Sequence, residues 1–243
     1  MKLLKNKNGE ITTQQIVMLI ILITSFVVIL FFFFRLNLGE VSNKEICHNS
    51  VVLKGKSITG FGKLDCKTNY LCISGGEKCE GINPTQTIKV DSDNKNETMK
   101  AIADEMVDCW WQFGEGKVDY EGEDWEGYHC AVCSSVKFDE KLKENKISYK
   151  DLFEYLEKTK KSESQTYLQY LFGVLKSEEF TDENKYIIEN YNNPFSFDER
   201  YSIITGLNPN WPSSDAIIPV SFMKTSDLTK DITSCDVFDI TKA

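Results

Sequence analysis

Histidine is almost missing from this chain of 243 residues, with His48 and His129 the only two. That leaves little room for a multi-histidine metal site, or for nucleophilic catalysis that depends on an imidazole base. A basic excess is missing as well. Lys and Arg number 28 against 37 Asp and Glu, for a net charge of −9. Nothing is therefore available to displace phosphate counterions, and a general nucleic-acid binder is excluded. No internal repeat is present. The length suits one large or two small domains.

What the chain does have is one long apolar block. Residues 16–34 read IVMLIILITSFVVILFFFF, interrupted only by Thr24 and Ser25, whose hydroxyls can bond to the helix backbone. Nineteen residues at about 1.5 Å each give roughly 28 Å, close to the ~30 Å hydrocarbon layer, so lipid bilayer is the expected partner of this segment. Lys2, Lys5 and Lys7 precede it, whereas Arg35, Glu40, Lys44 and Glu45 follow with no positive bias. The positive-inside rule then puts residues 1–15 in the cytoplasm and residues 36–243 outside. Phe31–Phe34 followed by Arg-Leu-Asn-Leu offers no small-residue cleavage site, which favours an uncleaved signal-anchor. Lys7-Asn8-Gly9-Glu10 before the apolar run also resembles the processing region of archaeal type IV pilin-like precursors. That resemblance implies cleavage beside Gly9 and keeps a filament subunit open as an alternative.

All eight cysteines lie beyond the apolar block: Cys47, Cys66, Cys72, Cys79, Cys109, Cys130, Cys133 and Cys235. An even number confined to the exported side reads as a disulfide framework in an oxidising compartment. Their spacing makes two groups, Cys47–Cys79 and Cys109–Cys235, and most bridges are expected within each group. Zinc is disfavoured, since Cys66, Cys72 and Cys79 do not form the close ligand pairs of structural sites. Cys130-Ala-Val-Cys133 is a CxxC, which keeps thiol–disulfide exchange as a further alternative. Its surroundings, HCAVCSSVKF over 129–138, alternate with period two, so the pair is expected in a strand with its side chains on opposite faces. No metal or other cofactor is expected.

Organisation beyond the anchor follows from composition and periodicity. Residues 35–46 read as a polar stalk, and residues 47–95 as a small Cys-rich module of strands and turns, with a strand at 85–90. Residues 96–243 read as a larger α+β domain. Its clearest helix is Thr98–Phe113, where Ile102, Met106, Cys109, Trp110 and Phe113 recur at three- and four-residue spacing. Asn96 or Thr98 can cap its start and Gly114 can end it. Trp110 is expected in the core, with Trp111 at its edge. Asn96-Glu97-Thr98 is an N-glycosylation acceptor pattern, making Asn96 a candidate modification site.

Residues 115–126 are acidic and rich in Gly, but the EF-hand spacing fails: counted from Asp119, Gly122 falls at position four and Cys130 at position twelve. A carboxylate pair from Glu115, Asp119 or Asp124 would suit glycoside hydrolysis. With 37 acidic residues available, such a pair carries little information. Ser148 and Asp151 form a capping-box pattern that opens a helix to about Lys160 with Leu152, Tyr155 and Leu156 inward. Short helices are expected at 165–171 and 182–191, and strands at 200–205, 216–223 and 236–240.

Several of these stretches carry a resemblance. Ala101–Trp110, Phe113-Gly-Glu-Gly-Lys117, Cys130-Ala-Val-Cys133 and Phe138-Asp139 look like a family of archaeal single-pass membrane-anchored proteins with a Cys-bearing exported domain. Cys66–Cys72, Gly75-Gly76 and Cys79 fit the same family, as do Ile147–Tyr149 and Tyr167–Leu171 less specifically. The resemblance implies one N-terminal anchor and an exported domain in an archaeal envelope, and it supplies no activity or catalytic residue. The combined expectation is a membrane-anchored binding or structural module, with an envelope protein or glycan as partner, rather than an enzyme.

Overall fold

The computed structural model describes residues 13–35, 42–56, 63–120, 128–176, 192–207, 217–228 and 235–238. Two compact units divide the chain, Met1–Ser42 and Asn43–Ala243. The first unit contains helix α1, Thr13–Arg35. Thr24 donates to the carbonyls of Ile20 and Ile21 at 2.9 and 3.0 Å, and Ser25 to Leu22 at 2.9 Å, so neither hydroxyl is left for solvent. Every residue from Gln14 to Phe31 is exposed within the protein. By length and composition this exposed apolar helix is long enough to span a membrane.

The second unit is a mixed α/β fold, as the composition and pattern predict. Helix α2 covers Asn43–Lys56, and strand β1 Asn69–Ser74 and strand β2 Gln86–Lys89 follow. Helix α3, Lys95–Gln112, leads into strand β3, Tyr128–Phe138. Helices α4, Tyr149–Lys158, and α5, Tyr167–Phe172, precede strands β4, Tyr201–Leu207, β5, Ile217–Lys224, and β6, Cys235–Phe238. The sheet order is β2-β1-β3-β4-β5. β1 is parallel to both β2 and β3, whereas β3–β4 and β4–β5 are antiparallel. β6 pairs in parallel with residues 128–131 of β3, and β1 with residues 134–138, so the two short strands share one edge of β3 end to end. The sheet thus joins strands from 47–95 to strands from 96–243.

One element departs from the pattern read in the sequence. Residues 47–56 are helical, with Cys47 and Val51 buried one turn apart, where strands and turns are expected. A two-residue apolar stripe is too narrow to show as a period of 3.6, and Asn49 and Gly55 weaken the helical signal further. Gly55 has a packing reason: a Cβ there would collide with Val118 and the Asp119 carbonyl. The candidate helix at 182–191 lies outside the described residues.

Elsewhere local chemistry sets the elements. Asn94 caps α3, its side chain accepting from the Asn96 N–H, so the helix begins three residues before the expected start. Ser148 and Asp151 complete the expected capping box on α4, and Thr166 with Gln169 forms a second on α5. α3 ends at Phe113, and the chain reverses through Gly114, Glu115 and Gly116, at φ of 78°, 56° and 68°. At Gly114 a Cβ would also lie 2.7 Å from Val118 Cγ2. Gly114→Ala is therefore expected to cost about 2 kcal/mol, from left-handed strain plus overpacking. A thermal or urea midpoint equal to wild type would contradict this account of the turn.

Candidate functional site

Helix α3 supplies most of the chemistry. Its inner side buries Met99, Ile102, Ala103, Met106 and Cys109, and Trp110 joins the core while Trp111 is half-buried, as the periodicity predicts. One carboxylate interrupts that apolar side. Glu105 is 2% exposed, and its Oε2 receives Lys44 Nζ from α2 at 2.7 Å. Its Oε1 accepts from Ser134 Oγ of β3 and from Asn69 Nδ2 of β1, the latter at 3.2 Å. Lys44 also reaches Asp108 at 2.7 Å. A single buried charge thus ties α2, α3, β1 and β3 together, with every contact hydrogen-bonded.

The Lys44 ammonium is half-buried. Burial works against its charge, but Glu105 and Asp108 outweigh that effect and raise its pKa above the ordinary lysine value. A raised folded-state pKa means the stabilisation is complete below the unfolded value of about 10.4 and is lost as pH rises through the folded one. Wild type should therefore lose more stability above about pH 10 than Lys44→Met does. At pH 7 the variant should be less stable by about 2 kcal/mol, because Glu105 keeps its burial and loses its counter-charge. Urea unfolding of both proteins across the alkaline range reads both effects. Parallel curves would sink the assignment.

At the C-terminal end of α3 a second constellation is half-exposed. His48 of α2 stacks on Trp111 with ring centroids 4.0 Å apart and planes 10° from parallel. His48 Nδ1 lies 2.7 Å from the Trp111 carbonyl, which can only accept, so that nitrogen carries the proton. Glu115, in its left-handed conformation, accepts from Tyr170 Oη and from Lys117 Nζ, the latter at 2.6 Å. Lys161 Nζ stands 3.5 Å over the Tyr170 ring centroid. Burial opposes ionisation of Glu115, yet the hydrogen bonds from Lys117 and Tyr170 prevail and lower its pKa. Burial and the Glu115 carboxylate push the Tyr170 phenol up. Near neutral pH this pair therefore sets a fixed anion beside a protonated phenol.

The three described bridges fall within the expected groups. Cys47–Cys66 and Cys72–Cys79 fall in the first group and Cys109–Cys133 in the second. Cys130 is disulfide-bonded as well. The side chain of Cys235 lies outside the described residues. The strand at 128–138 is present, but its alternation is broken by a bulge between Val132 and Ser134. The extra residue lets Cys133 and Ser134 both reach α3, one by a bridge to Cys109 and the other by a hydrogen bond to Glu105. Cys130 and Cys133 are 0% and 2% exposed, and each is disulfide-bonded, Cys133 to Cys109, so the CxxC does not close on itself.

Other candidates are scattered or undescribed. His129 side-chain atoms and Asp124 lie outside the described residues, and Asp119 is half-buried beside Gly55. Among the described residues no group of three or more His, Cys, Asp or Glu could hold a metal ion. Asn96 is exposed in the first turn of α3. Lys44, Asn69, Ser134 and Tyr170 are site residues that no sequence pattern singles out. Glu105 did leave a signal, since it falls three residues after Ile102 and four before Cys109 on the apolar stripe.

Comparison of the chain with protein-family models, with curated proteins and with solved structures finds no match. Fold and site nevertheless define a class: an N-terminal apolar helix long enough to cross a membrane, followed by a mixed α/β domain stabilised by disulfides. Within that class the chain is a membrane-associated protein whose described polar constellations gather on and around one helix, α3.

Proposed function

We propose that this protein is a single-pass module of the cell envelope, with its N-terminus in the cytoplasm and residues 36–243 outside, that binds an envelope protein or glycan. One observation carries the reading. Three disulfides staple the unit that follows the apolar helix, and such bridges persist in oxidising compartments, not in the cytosol. The lysines ahead of the helix agree with this orientation, as does the resemblance of residues 47–160 to archaeal membrane-anchored proteins. The binding surface is the end of α3 with its neighbours, where the His48–Trp111 stack, ionised Glu115, Tyr170 and Lys161 combine a flat aromatic element with fixed polar groups. Aromatic faces and oriented hydrogen-bonding groups suit recognition of sugar rings or peptide side chains.

Protease added to intact cells tests the orientation. The domain should be digested from outside while a short membrane fragment remains; full protection until the membrane is opened would overturn it. For the surface, Trp111→Ala should weaken sedimentation with isolated envelope material at least tenfold, which is about 1.4 kcal/mol. Undiminished sedimentation would move the binding surface elsewhere.

A further inference from the structure

Asn96-Glu97-Thr98 has the acceptor pattern for N-linked sugar, and the fold treats its three residues unequally. Glu97 is used by the fold: its carboxylate accepts from the Asp91 N–H at 2.8 Å and from Asn94 Nδ2 at 3.3 Å. Asn96 is exposed, and among the described residues its side chain has no hydrogen-bond partner, since the capping bond runs from its backbone N–H to Asn94 Oδ1. Thr98 is 0% exposed, and its Oγ1 is buried with no partner. A buried hydroxyl left unpaired is destabilising, and valine would fill the same space without that penalty. The two groups an acceptor pattern requires, the Asn amide and the Thr hydroxyl, are thus the two for which the helix has no use.

We propose that Asn96 carries an N-linked glycan, attached before α3 packs onto the sheet. In the transfer, Nδ2 of Asn96 attacks the anomeric carbon of an oligosaccharide held on a lipid phosphate. A C–N bond forms as the C–O bond to phosphate breaks. The lipid phosphate leaves with the electron pair, and one amide proton passes to a base on the transferase. Once α3 is packed, Thr98 is sealed and the pattern cannot be read, which sets the order of events. The proposal rests on the reading that residues 36–243 are exported.

The test is the intact mass of full-length protein purified from the membranes of the cells that produce it, beside Asn96→Gln, Thr98→Val and Thr98→Ser. Wild type and Thr98→Ser should carry added hexose-containing mass, and Asn96→Gln and Thr98→Val should lack it. Thr98→Val should unfold no lower than Asn96→Gln, which separates loss of sugar from loss of fold. Chain that folds while the lipid-linked donor is depleted should stay unmodified after the donor is restored; late modification would overturn the proposed timing. A wild-type mass equal to the sequence mass, with the domain open to protease from outside, would overturn the proposal alone. Protection from that protease would instead overturn the export reading and this inference with it.

Discussion

Tyr201→Ala should destabilise the domain by about 4 kcal/mol, the expected scale for emptying a large buried aromatic site. Tyr201 is 0% exposed at the start of β4. Its ring stacks on Phe222 with centroids 4.8 Å apart and meets Phe195 and Phe138 edgewise or tilted at 5.5 and 5.9 Å. Phe195 in turn packs on Tyr149 of α4 at 4.8 Å, and Phe197 on Phe138 at 4.9 Å. Removing the central ring withdraws a partner from β3, β5 and the segment before β4 at once. Its neighbours are rigid and mutually packed, so they cannot collapse into the space.

The phenol oxygen makes a separate contribution, because it accepts the Ser196 N–H at 2.8 Å. Tyr201→Phe keeps the ring and leaves that N–H unpaired, so about 1 kcal/mol is expected. Urea unfolding of the three proteins measures both steps. A loss for Tyr201→Ala no greater than for Tyr201→Phe would show that the ring cluster is not the keystone described above.

The second large effect is that of the bridge between α3 and β3. Cys109 and Cys133 are separated by 24 residues, a loop whose closure in the unfolded chain amounts to about 3 kcal/mol in the chain-entropy account. Their joint replacement by alanine should cost at least that, since both sulfurs are buried and the pair leaves a void. Cys72–Cys79 closes only 7 residues, so its removal should cost less, about 2 kcal/mol. Equal losses for the two double variants would contradict the entropic reading. The comparison also bears on compartment: a domain that depends on these bridges folds poorly where thiols are kept reduced.

Much of the fold was legible because its signals are local. The apolar helix, both capping-box residues on α4, the α3 stripe with Trp110 inside and Trp111 at its edge, and the strands near 86–89, 201–207 and 217–224 follow from neighbours within a few positions. The Cys-rich segment before residue 57 misled because Cys47 and Val51 gain their burial from distant partners, the bridge to Cys66 and the packing against the turn after α3. The bulge in β3 was invisible for the same reason. It is set by register with β4, and only the partner strand reveals that Cys133 is an extra residue.

Histidine scarcity, acidic charge and eight cysteines beyond one apolar block were enough to determine the class of chain: a helix able to cross a membrane and a disulfide-supported acidic domain. Each is a property of composition or of adjacent residues, and no folded partner is needed to read it. Which cysteines pair, that β1 lies parallel between β2 and β3, and that Lys44, Glu105, Asn69 and Ser134 meet were decided only in three dimensions. The Lys44–Glu105 contact alone joins residues 61 positions apart. The free energy of such contacts depends on a shared, water-excluded environment that exists only once helices and sheet have packed.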